Sequence, residues 1–215
     1  MALTKSISRD TSPRDTLSRD DVRASILQAS IALMNEGGLG ALSMREVARR
    51  AGVSHQAPYH YFADREAILA ELAGDGFDRL HDYMVSAVGL ARNSRADKNR
   101  ALGEAYIRFA LNNPEVFRLM FRAEMCDLSR YPEAKAKADR CFELVASTLG
   151  AGTGVSIDDK GNPDLVPVIA AWSAAHGLAT LMLEGKLGEA FGETVDQREE
   201  AARRILAFTS QQFSR

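Results

Sequence analysis

Cysteine is scarce: only Cys126 and Cys141 occur in 215 residues. Two are too few for a disulfide scaffold, and they lack the Cys-x2-Cys spacing of a structural metal site, so no metal or cofactor is expected and a reduced cytoplasm is the natural setting. An excess of one charge is missing too. Twenty-seven Lys and Arg against 29 Asp and Glu leave a formal net charge of −2, which argues against a nucleic-acid binder that works by bulk charge. No basic-then-apolar leader opens the chain, and no apolar run is expected to reach the roughly 18 residues needed to cross a bilayer, so neither secretion nor a membrane partner is expected. Equally absent are a Ser/His/Asp set, a phosphate-cradling glycine loop and paired carboxylates at a plausible spacing; an enzyme is therefore not expected, and a helical enzyme stays only as an alternative. What is present is an apolar content of 46%, ordinary for a folded chain long enough for one large or two small domains.

Residues 1–17, MALTKSISRDTSPRDTL, show no apolar periodicity and read as a mobile tail. Arg9, Arg14 and Arg19 would suit an arm for a minor groove, but Asp10, Asp15 and Asp20 alternate with them. From about Asp20, Val22, Ile26, Ala29, Leu33 and Met34 recur at helical spacing until Asn35-Glu36-Gly37-Gly38 ends the helix. Ser43 then caps a short helix whose inward positions are Val47, Ala48 and Ala51, with Arg45, Glu46, Arg49 and Arg50 outward. Gly52 suits a left-handed exit, and Ser54 caps a second helix predicted to run through Phe62.

Helix, glycine turn, helix is a common packing unit. It is also the form in which a DNA-reading protein lays its second helix in a major groove and offers base edges its first turn. Here that turn carries His55 and Gln56, followed by Tyr59 and His60. Gln suits adenine N6 and N7, histidine can donate to guanine acceptors, and a Tyr hydroxyl suits phosphate oxygens. Through residue 69, nine basic residues stand against eight acidic ones, so attraction to DNA would have to come from local placement of Arg45, Arg49, Arg50 and Arg65.

The stretch LSMREVARRAGVSHQAPYHYFADREAIL, with the preceding helix from about Val22 and the YFADRE run after it, resembles the N-terminal head of the tetracycline-repressor (TetR) family of bacterial transcription regulators. That resemblance implies an all-α homodimer: a helix-turn-helix three-helix head, a larger body that binds a small-molecule effector and dimerises, about nine helices in all, and operator DNA as partner. By position, Ser43, Met44 and Arg45 fall where the family touches phosphate or an outer base, and His55, Gln56 and Ala57 where it reads bases. Tyr59, Tyr61 and Arg65 fall at backbone-contact positions, and Ser54 and His60 complete the DNA-facing set. One departure stands out: many members have Gly-Ala-Leu-Tyr where this chain has Gln56-Ala57-Pro58-Tyr59. A proline in the first turn deletes one amide, so the helix is expected to survive while the aim of His55 and Gln56 changes.

The implied organisation is a tail at 1–17, a head at 18–69 and a body at 70–215. A helix capped by Asp64 runs on towards Leu90; Gly74 and Gly76 within it either let it bend or let it pack closely. In ALGEAYIRFALNNPEVFRLMFRAEM, Leu102, Ala105, Tyr106, Phe109 and Ala110 form an apolar face, Asn112-Asn113 ends that helix and Pro114 opens another. Its aromatics and Met read as core or as an adaptable pocket, the pocket set being Phe109, Phe117, Met120, Phe121 and Met125 together with Trp172 and His176. A helix from about Glu133 to Leu149 precedes a Gly- and Asp-rich connection at 151–165. LVPVIAAWSAAHGLATLMLEG follows, apolar nearly all round and so expected to be buried from several sides. The pairing of Trp172 with His176-Gly177 resembles one TetR subgroup. A last helix spans about Val195 to Phe213. Family resemblance puts the final two helices in the dimer interface, with Trp172, Leu178, Leu181, Ile205 and Phe208 as its residues. Alternatives are a non-DNA interaction module or a redox-responsive regulator using Cys126 and Cys141.

Overall fold

A computed structural model describes residues 18–92, 94–150, 165–188 and 191–212. The tail at 1–17, the connection at 151–164 and the far end of the last helix lie outside the described residues. All regular structure described is helical: α1 (Arg19–Gly37), α2 (Met44–Arg50), α3 (Arg65–Leu90), α4 (Arg95–Asn112), α5 (Pro114–Met120), α6 (Pro132–Gly150), α7 (Val166–Leu183) and α8 (Val195–Gln212). The all-α class expected from the sequence is what forms, with eight α-helices among the described residues where about nine were expected.

Helix starts follow their caps. Ser18 accepts from the Asp21 amide while Asp21 accepts from the Ser18 amide, a reciprocal box that starts α1 one residue ahead of the expected Asp20. Ser43 accepts from the Glu46 amide, Asp64 from Ala67 and Ser94 from Asp97, each satisfying a first-turn donor that has no helical partner. At the other end of α2, Gly52 takes φ 68° and the Val53 amide reaches back 3.1 Å to the Ala48 carbonyl, the left-handed exit predicted from the glycine.

One predicted element does not form. Ser54 to Phe62 is not an α-helix but a bend followed by a 3-10 turn at Ala57–His60. The α-helical partner of the Ser54 carbonyl would be the amide of residue 58, and Pro58 has none. That carbonyl instead accepts from Ala57 at 2.9 Å, the tighter spacing of a 3-10 turn. Pro58 itself is buried, so its ring anchors the turn to the head.

Head and body share one continuous core. Ile26, Met34, Val47, Ile68 and Leu69 fill the head, and Leu80, Met84, Ile107, Phe109 and Leu119 fill the body, all essentially inaccessible to water. The link is α3, whose 26 residues cross the expected 69/70 boundary without a break. In the body, α3 packs on α4, α5 and α6, while α7 and α8 both lie against α4. Close approach explains Gly74 and Gly76. A Cβ on Gly74 would lie 3.3 Å from the Ala134 backbone of α6, and one on Gly76 would lie 2.7 Å from Val116 Cγ1 and Met120 Sδ of α5.

The apolar helix α7 departs from expectation twice. Its 18 residues, Val166–Leu183, have a mean hydropathy of 1.5, long and apolar enough to cross a bilayer by length and composition, where no such run was expected. It is not buried all round either: Val168, Ala175, Leu178, Ala179 and Met182 are buried, while Val166 is 73% exposed and Ile169 and Leu181 are exposed as well.

Replacing Gly76 by Ala should destabilise the fold by about 1–3 kcal/mol, because the stiff β-branched Val116 cannot yield without strain and this outweighs the helix propensity gained. Gly89→Ala, where a Cβ meets nothing within 4 Å, should instead be neutral or stabilising by up to about 1 kcal/mol. Urea melts of the two variants test this, and equal midpoints would show that α3 is not gripped at Gly76.

Candidate functional site

The head offers an exposed edge built from two short pieces. Arg45 stands on the first turn of α2; Ser54, His55, Gln56, Tyr59 and His60 stand on the bend and 3-10 turn that follow, and all six are exposed. His55 and Tyr59 stack loosely, with ring centroids 6.3 Å apart. Ser43 is spent as the α2 cap. Ala57 and Tyr61 are half-buried, and Met44 is buried in the head core, which removes its side chain from the expected DNA-facing set.

Three of the four arginines expected to supply local positive charge are engaged elsewhere. Arg50 holds Glu36 with both terminal nitrogens, one bond at 2.6 Å, pinning α2 to the end of α1. Arg49 holds Glu46 one turn back, its Nε 2.9 Å from Oε2. Each carboxyl is held below its ordinary range by the hydrogen bond from its arginine. Arg65 is turned inward: Nε donates to the Leu42 carbonyl at 2.8 Å and Nη2 to the Leu39 carbonyl at 2.7 Å. These carbonyls lie in the link between α1 and α2, where no helical ladder reaches them, so a planar fork is what closes the account. Arg65 therefore appears here as the tie that fixes α2, not as the free phosphate contact its charge suggested. Arg45 alone of the four makes no ion pair or hydrogen bond among the described residues.

Beside Arg65, Glu66 faces the body. It accepts from the Asp127 amide at 3.3 Å and from Arg130 at 2.8 Å, both on the loop between α5 and α6. That loop begins at Phe121, which lines a cavity of about 350 Å³ walled by α3, α4, α6 and α7. Phe77, Tyr106, Phe142 and Trp172 are its other rings. Tyr106 Oη lies 2.7 Å from His176 Nδ1 and accepts from Trp172 Nε1 at 3.4 Å. Burial pushes the Tyr106 phenol pKa up and the His176 imidazole pKa down, so both stay neutral near pH 7.

Of the expected pocket residues, Phe121 and Trp172 line this cavity, and His176 adjoins it through Tyr106. Phe117 stands behind the wall, 5.0 Å from Phe121 and 5.5 Å from His176 between ring centroids. Phe109 is elsewhere, fully buried and edge-on to Tyr83; Met120 packs at Gly76, and Met125 is half-buried on the core. Tyr106 and Phe142 were missed as pocket residues. Helical spacing gave Tyr106 an inward face but not its partner, which lies 70 residues away.

On the expected dimer face, Leu181 and Phe208 are exposed, Phe208 at 67%, whereas Leu178 is buried in the chain's own core and Ile205 is half-buried. Val166 and Ile169 extend the exposed apolar face. Both cysteines are buried. Burial pushes the Cys126 thiol up to about 11 and the Cys141 thiol up to about 12, and Cys141 donates to the Phe77 carbonyl at 3.1 Å.

The family profile described as bacterial regulatory proteins, tetR family, matches residues 26–72, and that described as tetracyclin repressor-like, C-terminal domain, matches residues 99–208. Tetracycline repressor protein class D of Escherichia coli is 32% identical over 85 residues, 37% of this chain and 39% of that protein. The transcriptional activator FasR of Mycolicibacterium smegmatis is 28% identical over 144 residues, 65% of this chain and 64% of that one. The chain thus spans less than two thirds of the length of either relative, both of them regulators of transcription. A solved protein of unknown function from Rhodococcus sp. RHA1 superposes with a TM-score of 0.73 at 27% identity, covering 94% of this chain and 97% of that one.

Two outcomes test the roles assigned here. Arg65→Lys keeps the charge but cannot fork onto two carbonyls, so it should cost about 1–3 kcal/mol of stability in a thermal melt; an unchanged melt would return Arg65 to the surface. For the cysteines, a thiol at about 11 is ionised in only about one molecule in a thousand at pH 8, so the folded protein should react slowly with a disulfide reagent and fast once unfolded. Rapid labelling of the folded form would revive the redox alternative.

Proposed function

The chain belongs to the TetR family of bacterial regulatory proteins, and on that premise we propose that it is a homodimeric, ligand-responsive DNA-binding regulator of transcription. In this proposal it is a repressor that leaves a palindromic operator when a small apolar or amphipathic molecule fills the body cavity. It works in the bacterial cytoplasm, at the nucleoid while it holds DNA. The observation that carries the proposal is the exposed edge of Arg45, His55, Gln56, Tyr59 and His60, presented by a helix and turn that Arg65 locks to the head. Gln56 is the candidate for adenine and His55 for guanine; Tyr59 and the amides around them suit phosphate.

The exposed apolar residues Val166, Ile169, Leu181 and Phe208 of α7 and α8 support a self-complementary face between two copies. Two heads must then sit about 34–36 Å apart to meet successive major grooves, and a ligand that favours another spacing shifts the population off the operator. Repression is the simpler outcome of that mechanism, since loss of paired contacts frees the DNA.

Selection of genomic fragments by the purified protein should recover one palindrome with half-sites about 10 bp apart. Gln56→Ala should then relax discrimination at one base pair per half-site by about 1–3 kcal/mol. Recovery without sequence preference, or a monomer in sedimentation, overturns the proposal; unchanged preference in the variant would show that Pro58 has turned Gln56 away from the bases.

A further inference from the structure

We propose that the body cavity selects an uncharged aromatic molecule and turns carboxylates away, a narrowing that rests on the regulator proposed above. Five rings line one space of about 350 Å³: Phe77, Tyr106, Phe121, Phe142 and Trp172. Phe121 and Trp172 lie 6.4 Å apart at 48°, and Phe142 and Trp172 lie 6.3 Å apart at 73°. These tilted faces and edges suit a further ring entering edge-on or offset.

The polar atoms on this wall are already satisfied by one another. Trp172 gives its only proton to Tyr106 Oη, and the same phenol shares a second hydrogen bond with His176 Nδ1. The Cys141 thiol is taken by the Phe77 carbonyl. No cation lines this space among the described residues; its one charged group is the carboxylate of Asp139, held by Lys135 at 2.8 Å. An ion of either sign would therefore shed its water opposite neutral groups, with the one carboxylate already paired to Lys135. Arg100 lines an adjoining space of about 40 Å³, but Asp97 at 3.3 Å and Glu104 at 3.8 Å balance it.

Trp172, the only tryptophan, reports on the site directly. Quenching of its fluorescence in the full chain should show 2-naphthalenemethanol binding at least ten-fold tighter than 2-naphthoate, 2-naphthylmethylammonium or decanoate, the last long enough to probe Arg100. Val145→Phe fills the cavity and should weaken the alcohol by more than ten-fold. Any of the three ions binding as tightly as the alcohol, no binding of the alcohol, or undiminished binding by a folded Val145→Phe overturns the proposal. The charge series uses the unaltered protein and so decides the matter even if that variant does not fold. Genomic selection on the same preparation separates the two proposals: a preferred operator without charge selectivity removes only the cavity proposal, and charge selectivity without DNA binding removes only the regulator.

Discussion

Arg65 and Glu66 stand side by side on the first turn of α3 and are gripped from opposite directions. Arg65 closes two carbonyls in the link that leads into α2; Glu66 takes an amide and a guanidinium from the loop that leads out of α5. The pose of the exposed head edge and the pose of the cavity wall are therefore both referred to one helical turn. Phe121, at the start of that loop, is the point where the cavity touches the chain of contacts. A molecule in the cavity has leverage on the head only through differential contact with groups such as these.

Much of the architecture was legible because it depends on local chemistry. Ser43, Asp64, Gly52 and Pro114 act within a turn of themselves, so their types announce helix ends wherever they stand. Pro58 also acts locally and its missing amide is legible, but the consequence exceeds one lost bond: a single carbonyl without its helical donor is enough to turn a short helix into a 3-10 turn. Direction was not legible. Charge gives Arg65 a partner of opposite polarity without saying whether that partner is a phosphate outside or a carbonyl within. Periodicity placed Tyr106 on an inward face, while the imidazole that completes it comes from another helix. The glycines of α3 left bending and packing equally open until Val116 and Ala134 were seen against them.

Electrostatics tell a consistent story at a smaller scale than net charge. The head carries almost as many carboxylates as cations, and the structure spends Glu36 and Glu46 on holding Arg50 and Arg49. On the edge formed by α2 and the turn after it, what remains without an ion pair is Arg45 with two histidines, a glutamine and a tyrosine, groups whose hydrogen-bonding directions matter more than their sum of charge. The body follows the same economy, with its indole and imidazole both bonded to one phenol oxygen.

Close packing of Gly74 and Gly76 on α6 and α5 would make that stretch the fulcrum of any tilt of α3. Arg65 lies about 15 Å from that fulcrum along the helix axis, and the end at Leu90 lies about 22 Å away on the other side. A tilt of about 10° would then carry the Arg65 turn through about 2.5 Å, comparable to the length of the hydrogen bonds that hold it, while the far end moves about 4 Å the other way. Stiffness at the glycines, rather than looseness, is what would let a small displacement in the body be felt at the head.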